Sequence, residues 1–243
     1  MDEAEWLTCT DPQQMMQSLQ CTASRRKLRL FAVACCRSVW HIFTDQRARD
    51  VIEIAELHAD GMACECWLKG VWQALVESWP PPRAMPCYRL VRALATERGY
   101  PHPIVERIQE LVLEAANDNG AARRAPAGEE VQAARTAWLA AVKARDSVRE
   151  VQSSLLRDMF GNPFRPVTFA AAWRTPTVTA LAKAAAYEDR QPPASILYPD
   201  RLAVIADALE DAGCSDTAIL DHCRDGGLHV RGCWVVDLLL GKS

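Results

Sequence analysis

Apolar residues recur every three or four positions along most of the chain, which is the spacing of one face of an α-helix. The strongest example runs from Arg25 to Phe43 and is apolar on more than one side. One face carries Leu28, Phe31, Ala32, Cys35, Val39 and Ile42, and a second set, Leu30, Val33, Ala34, Cys36 and Trp40, widens it. We therefore predict a helix that is buried on most sides.

Capping and breaking residues divide the rest of the chain into further helices. Ser24, Asp45 and Thr175 are suitable N-caps, Gly61 and Gly213 suit helix ends, and Pro80-Pro81-Pro82 is a sharp break. The predicted helices after Phe43 cover 45–61, 62–79, 88–98, 104–116, 129–159, 175–187, 202–213, 218–223 and 230–240. Because no convincing run of alternating strand residues appears, the pattern predicts an all-α, multi-helix globular bundle.

Residues Glu129 to Met159 contain neither glycine nor proline, which favours one long helix of about 30 residues. Trp138, Val148 and Leu155 lie on its apolar stripe and are expected to be buried against both terminal regions. The segment Phe160–Val167 has one glycine and two prolines, so we expect it to leave the helix as an extended strap that buries its phenylalanines.

Two regions are expected, separated by an Ala/Arg/Pro/Gly-rich linker that ends at Gly128. The first, 1–120, is an N-terminal helical region, and the second, 129–243, contains the long helix, the strap and the C-terminal helices. The last helix is too apolar to be a free tail, so Cys233 and Trp234 are predicted to pack against Leu30–Cys36 and join the regions into one core. The role of 63–127 stays open.

The composition excludes some classes of function. The chain has 243 residues, 49% of them hydrophobic, and a formal net charge of -3 with a pI near 6.0, so it lacks the overall basic field of a general nucleic-acid binder. The N-terminus is acidic and no apolar run reaches a bilayer's width, which favours a cytoplasmic protein without a membrane segment. In that setting the ten cysteines are expected to be reduced thiols.

Charge is distributed unevenly along the chain. Seven basic residues against two acidic ones lie between 21 and 50, whereas 187–225 has three basic and nine acidic residues. Arg25, Arg26, Lys27 and Arg29 stand at a helix N-terminus, where positive charge is disfavoured and some partner should offset it. An anion or nucleic-acid backbone is one alternative, although nucleic acid is not the favoured partner. Solvent or the acidic C-terminal stretch is the other.

Cysteine and histidine form the constellation most typical of a site. Cys35, Cys36, His229 and Cys233 could supply four ligands to zinc or iron, with His222 and Cys223 just upstream of His229. Against a metal, there is no paired C-x-x-C, and Cys64-x-Cys66 is too short for the usual zinc knuckle. Burial of these thiols in a core is therefore the favoured interpretation, and metal binding and thiol chemistry are the alternatives.

Motifs for established enzyme classes are missing from the sequence. We find no Walker A loop, dinucleotide glycine fingerprint, H-E-x-x-H or G-x-S-x-G, so no catalytic residue is assigned and an enzyme is not the favoured class.

Several blocks of the chain resemble a bacterial protein family, abundant in planctomycetes, for which no activity is established. The matching residues are Glu3–Leu7, Arg26–Ala32 with Cys35-Cys36-Arg37 and Trp40, Leu156–Val167, Ala206–Cys214 and His229–Gly241. The resemblance covers both ends and the strap, but nothing between Ala63 and Ala127. It implies a shared fold and no particular activity.

Two hypotheses follow. The first is a non-enzymatic helical scaffold or protein-interaction module, without a cofactor, whose middle region, 70–128, is available to an unknown protein partner. The alternative is a zinc- or iron-binding or thiol-dependent protein that uses the cysteines and histidines of the first and last core helices.

Overall fold

The protein is described from a computed structural model covering residues 1–19, 23–78, 88–95, 105–110, 130–188, 190–191 and 196–242. Its helices are α1 (Glu3–Thr8), α2 (Pro12–Leu19), α3 (Arg25–Ser38), α4 (Gln46–Ala59), α5 (Glu65–Ser78), α6 (Tyr88–Ala95), α7 (described over 105–110), α8 (Glu130–Phe160), α9 (Pro176–Tyr187), α10 (Pro199–Asp211), α11 (Thr217–Arg224) and α12 (Trp234–Leu240). The predicted all-α, multi-helix fold is confirmed. Among these residues no helix combines the length and apolar character needed to cross a membrane.

The strands are two residues each. β1 (Arg190–Gln191) pairs antiparallel with β2 (Ile196–Leu197), with Arg190 opposite Leu197, and an isolated bridge joins Ile196 to Val230. This small ladder attaches the segment before α12 to the loop before α10.

Helix starts follow the predicted caps. The side chains of Ser24, Asp45 and Thr175 accept hydrogen bonds from the first turns of α3, α4 and α9. The predicted end of α3 was wrong, because the α-helix stops at Ser38 and a 3-10 turn, Trp40–Ile42, follows. This turn brings Phe43 into the core, where its side chain is fully buried.

The long helix α8 runs without interruption for 31 residues. It packs on α2 and α3 at one end of the chain and on α12 at the other, as predicted. Leu155 is fully buried, but Trp138 and Leu139 are 58% and 52% exposed, so the expected burial of Trp138 was wrong. Burial is concentrated in the C-terminal turns of the helix, where both terminal regions meet it.

The strap after α8 is less buried than predicted. Gly161 ends the helix with a φ of 61°, a backbone conformation that glycine adopts most readily. The indole Nε1 of Trp6 donates to the carbonyl of Gly161 at 3.0 Å. Phe160 packs partly on the core, but Phe164 is 41% exposed. Of the two phenylalanines, only Phe160 therefore packs against the core.

Buried apolar residues form two clusters. The first combines residues of α1 to α7 with Leu155, Leu156 and Met159 of α8 and with Val230, and the second combines α9 to α12 with Leu197. The predicted regions 1–120 and 129–243 stay a prediction, since 96–104 and 111–129 lie outside the described residues.

A network of buried ion pairs, called the ion network below, joins the two clusters. Arg26 of α3 binds Asp60 through Nε at 2.6 Å and Asp237 of α12 through both terminal nitrogens at 2.6 and 2.8 Å. Lys27 reaches Asp237 at 2.7 Å, and Arg231 binds the other oxygen of Asp60 at 2.6 Å. Salt bridges between α3 and α12 thus connect the N-terminal and C-terminal parts of the chain.

The predicted packing of Cys233 and Trp234 on α3 needs a correction. Gly232 makes that contact, since a Cβ on it would lie 3.0 Å from the side chain of Leu30. Cys233 is buried in the second cluster. Trp234 is half-buried, and its indole covers Gly161 and lies 5.2 Å from the ring of His222.

One cysteine pair departs from the expected reduced state. Cys64 and Cys66 form a disulfide at the start of α5, whereas Cys9, Cys35, Cys36, Cys214, Cys223 and Cys233 are free thiols among the described residues. All of the free thiols except Cys9 are buried.

Candidate metal centre

Four potential metal ligands meet where the two clusters join. They are Asp158 of α8, His222 of α11, His229 of the loop after it and Cys233 directly before α12, and their ligand atoms all lie within 4.8 Å of one another. Asp158, His229 and Cys233 are buried, and His222 is half-buried. Three separate elements therefore contribute to this site, which we call the four-ligand cluster.

Asp158 is at the centre of the cluster. Its Oδ1 lies 2.8 Å from Nδ1 of His229 and 3.3 Å from Nε2 of His222, and its Oδ2 accepts the backbone N–H of Val230 at 2.9 Å. Burial raises the pKa of Asp158, but hydrogen bonds to His222 and His229 outweigh it and hold the pKa below its usual value. The carboxylate is therefore ionised and presents one oxygen to both imidazoles.

The hydrogen bonds of His229 define which ring nitrogen carries a proton. Its Nε2 lies 3.0 Å from the backbone carbonyl of Asp225, which can only accept, so Nε2 is protonated. Nδ1 then faces Asp158 either as the second N–H of an imidazolium or as a lone pair directed at a shared cation. Burial lowers the pKa of His229, but the hydrogen bond and charge of Asp158 raise it, and the net shift is upward.

Cys233 approaches the cluster through a tight turn. Its N–H donates to the carbonyl of Val230 at 2.9 Å, and Gly232 inside this turn has a φ of 95°, where a side chain would be strained. The Sγ of Cys233 lies 3.2 Å from Nε2 of His222. Burial, followed by the charge of Asp158, raises the pKa of this thiol well above its usual value.

This arrangement differs from a catalytic triad. In a triad the histidine uses one nitrogen for the nucleophile and the other for the carboxylate. Here the same Nε2 of His222 faces both Cys233 and Asp158. A buried thiol beside a carboxylate is also a poor nucleophile, because both features disfavour the thiolate.

A cavity of about 200 Å³ opens on the cluster. Its lining includes Asp158, His222 and His229, and it also includes Arg157 and the exposed Ser154 on the same side of α8. Arg157 is held by the carbonyl of Trp6, to which its Nε and a terminal nitrogen donate at 3.1 and 2.9 Å. The cavity therefore lies beside three of the four ligands.

The structure brings together two of the four ligands predicted from the sequence. His229 and Cys233 meet, but Cys35 and Cys36 lie on α3 within the first apolar cluster and do not join them. Burial raises the pKa of Cys35 well above its usual value, as expected for a core thiol. The helix predicted over 230–240 begins later, at Trp234, so Cys233 lies directly before the helix rather than within it.

Sequence reasoning missed Asp158 as a ligand and noted His222 only as a neighbour. Asp158 is separated from His229 by 71 positions, so no local spacing relates them. The available signal was an acidic residue, Asp158, at the end of a long helix directly before a glycine and proline break.

The basic residues proposed for anion contact have different environments. Arg26 and Lys27 are paired inside the protein with Asp60 and Asp237, so their partners come from α4's end and α12 rather than from the acidic stretch 187–225. Arg25 is exposed, and Arg29 is partly buried with its Nε lacking a hydrogen-bond partner. Two of the four basic side chains, those of Arg26 and Lys27, therefore form ion pairs inside the protein.

Comparison with known proteins gives no match: no protein-family model, no curated protein and no solved structure matches the chain significantly. The resemblance to the planctomycete family stays a prediction. Any functional conclusion therefore depends on the geometry of this chain.

Proposed function

We propose that the protein is a helical scaffold stabilised by a single zinc ion bound to Asp158, His222, His229 and Cys233. The observation that carries the proposal is the convergence of these four ligand atoms, from three elements, within 4.8 Å. The ion connects the end of α8 to α11 and α12 and so connects the two apolar clusters.

The shortest distances between the ligand atoms are close to those in a tetrahedral zinc site. With zinc bonds of about 2.0–2.1 Å to nitrogen or oxygen and about 2.3 Å to sulfur, tetrahedral ligand atoms are roughly 3.3–3.6 Å apart. The three closest contacts in the cluster are 2.8, 3.2 and 3.3 Å. Binding of the ion would require Asp158 and His229 to separate by about half an ångström and the more distant ligand atoms, which are within 4.8 Å of one another, to move closer.

Supporting contacts orient the ligands as metal sites require. A histidine that binds zinc donates its second ring N–H to a carbonyl or carboxylate, which fixes the tautomer. His229 does so through Nε2 to the carbonyl of Asp225 at 3.0 Å. The carboxylate of Asp158 is held by the hydrogen bond that its Oδ2 accepts from the N–H of Val230.

Zinc fits this set of donor atoms better than iron. Two histidines and one carboxylate suit iron(II) when the remaining positions are open, whereas a thiolate as fourth ligand favours tetrahedral zinc. Four protein ligands also fill the tetrahedral shell, which is typical of structural rather than catalytic sites. We therefore propose a scaffold and not a metalloenzyme.

Metal analysis of the purified protein tests the proposal. We expect about one zinc per chain and, after cobalt substitution, the charge-transfer absorption of a cobalt–thiolate bond. Cys233→Ser should lose that absorption and most of the metal. Cys223→Ser is the matched control, because Cys223 is a buried thiol of the same apolar cluster but is not among the four ligands.

Asp158→Asn provides a second variant in case Cys233→Ser fails to fold. It keeps the size of the side chain but removes the charge that zinc requires. A folded wild-type protein that binds neither zinc nor cobalt would overturn the proposal. Stoichiometric iron in place of zinc would instead indicate an iron site formed by the two histidines and Asp158.

A further inference from the structure

A disulfide occupies the exposed start of α5. Cys64 directly precedes the helix and Cys66 lies in its first turn, with Cα atoms 5.3 Å apart. Both residues are exposed, and so are their neighbours Met62 and Trp67, at 48% and 50%. An external thiol therefore has access to this bond, in contrast to the five buried free thiols among the described residues.

The two sulfurs have different surroundings. Cys64 is in the N-cap position, where its carbonyl accepts from Trp67 and Leu68 at 3.1 and 3.3 Å, and its Sγ accepts the N–H of Trp67 at 3.2 Å. A helix N-terminus stabilises negative charge, so a thiolate on Cys64 is favoured over one on Cys66. Cys64 is therefore the better leaving group when the bond is broken.

The charge next to the disulfide is also balanced. Glu65, between the two cysteines, forms an ion pair with Lys69 one turn later. This pairing reduces the repulsion that the carboxylate would exert on a nearby thiolate. The start of α5 thus keeps its preference for a negatively charged sulfur.

We propose that Cys64 and Cys66 form a thiol–disulfide exchange site that reacts with dithiols or with small monothiols. A thiolate of the reductant attacks Sγ of Cys66, the Cys64–Cys66 bond breaks, and Cys64 leaves as a thiolate that then takes a proton. A second thiol of the reductant attacks the mixed disulfide and releases Cys66. Two electrons and two protons pass to the protein, and the reductant becomes a disulfide.

Redox titration followed by alkylation and mass spectrometry tests this proposal. One tryptic peptide, 50–69, contains Cys64 and Cys66 and no other cysteine, and another, 30–37, contains the buried Cys35 and Cys36. In graded mixtures of reduced and oxidised glutathione, the first peptide should pass reversibly from no alkylated cysteine to two. The second should stay unalkylated until the protein is denatured, which verifies that the fold is intact.

Single variants test the assigned roles. Cys66→Ser leaves Cys64 alone at the helix N-terminus, and Cys64→Ser leaves Cys66, so the two proteins are matched. Alkylation near neutral pH should be about twofold or more faster for Cys64 in Cys66→Ser than for Cys66 in Cys64→Ser. Equal rates, or a faster Cys66, would overturn the assignment of Cys64 as the leaving group.

Two results would overturn the exchange site itself. In one, peptide 50–69 is fully alkylated even in excess oxidised glutathione, so that no disulfide forms. In the other, the disulfide resists dithiothreitol while the protein stays folded. The inference is independent of the metal site, since Cys64→Ser, Cys66→Ser and the double variant should keep the wild-type metal content.

Discussion

The ion network and the four-ligand cluster are both buried polar sites at the junction of the two apolar clusters. They differ in the side chains that contact their carboxylates. In the ion network each carboxylate oxygen of Asp60 and Asp237 accepts a hydrogen bond from Arg26 or Arg231. In the four-ligand cluster Oδ1 of Asp158 lies 2.8 Å from the imidazole of His229 and 3.3 Å from that of His222. In the first site the carboxylates face arginine side chains, whereas the second site groups a carboxylate with two imidazoles and a thiol.

The largest effect is expected from breaking the ion network at Asp60. Its side chain is fully buried, and it pairs with Arg26, Arg231 and Lys242. Asp60→Ala removes the buried carboxylate that these three cations share, and Arg26 keeps only Asp237, so the free energy of unfolding should fall by about 3–5 kcal/mol. Chemical denaturation measures this loss. Glu210→Gln, at an exposed pair with Arg224, is the control and should leave the midpoint unchanged.

Zinc should stabilise the four-ligand cluster by a smaller amount. A ligand that binds only the folded state adds about 2.7 kcal/mol to the free energy of unfolding when its free concentration is 100 times its dissociation constant. Thermal unfolding with and without zinc should show this gain in wild type and lose it in Asp158→Asn. Equal melting temperatures for metal-free and zinc-loaded wild type would contradict the structural role.

Alanine variants at two glycines distinguish the cost of backbone strain from the cost of a steric contact near the site. Gly161 and Gly213 have φ values of 61° and 84°, but a Cβ on Gly161 would lie 3.1 Å from the indole of Trp234, whereas one on Gly213 has no neighbour within 4 Å. Alanine at Gly213 should cost about 1 kcal/mol from the left-handed conformation alone. Gly161→Ala should cost more.

Zinc affinity distinguishes the two glycine variants further. Trp234 lies between Gly161 and the ring of His222, so displacing the indole should also shift a ligand. Isothermal titration should therefore show weaker zinc binding in Gly161→Ala and unchanged binding in Gly213→Ala. Equal affinities would mean that Trp234 does not position His222.

The smallest expected effect is that of mild acid on the ion network. Burial raises the pKa of Asp60, but the charges of Arg231 and Arg26 outweigh it, so the pKa is below its usual value. A depressed pKa contributes stability above the unfolded-state pKa of about 3.9 and loses it as pH falls through the folded-state value. Between about pH 8 and 5 this contribution stays constant, while zinc affinity falls because His229 and Cys233, whose pKa values are raised, are held by protons that compete with the metal. Denaturation and zinc titration at several pH values test the contrast.

How well a feature could be predicted from the sequence depends on how far apart along the chain the interacting residues are. The caps Ser24, Asp45 and Thr175 bond to their own first turns, so local sequence predicted the helix starts. The continuity of α8 was predictable for the same reason. The exposure of Trp138 and Phe164 was not, because burial depends on which elements lie opposite a side chain.

The candidate site was only half predictable. His229 and Cys233 are near each other in sequence, and a short turn joins them where the sequence predicted the start of a helix. Asp158 reaches them only because α8 packs against α12, and Cys35 and Cys36 are excluded because α3 turns them into the first apolar cluster. A residue's type shows that it can bind a metal, but not which residues it will meet.

The sequence by itself determined an all-α chain, the starts of α3, α4 and α9 and the continuity of α8, since these depend on local hydrogen bonds and on apolar periodicity. Tertiary structure alone decided that Arg26 and Lys27 face carboxylates and that Asp158 meets two histidines and a thiol. Ion pairs and ligand sets require side chains from distant positions at contact distance. Only the packing of α3, α8, α11 and α12 provides that proximity.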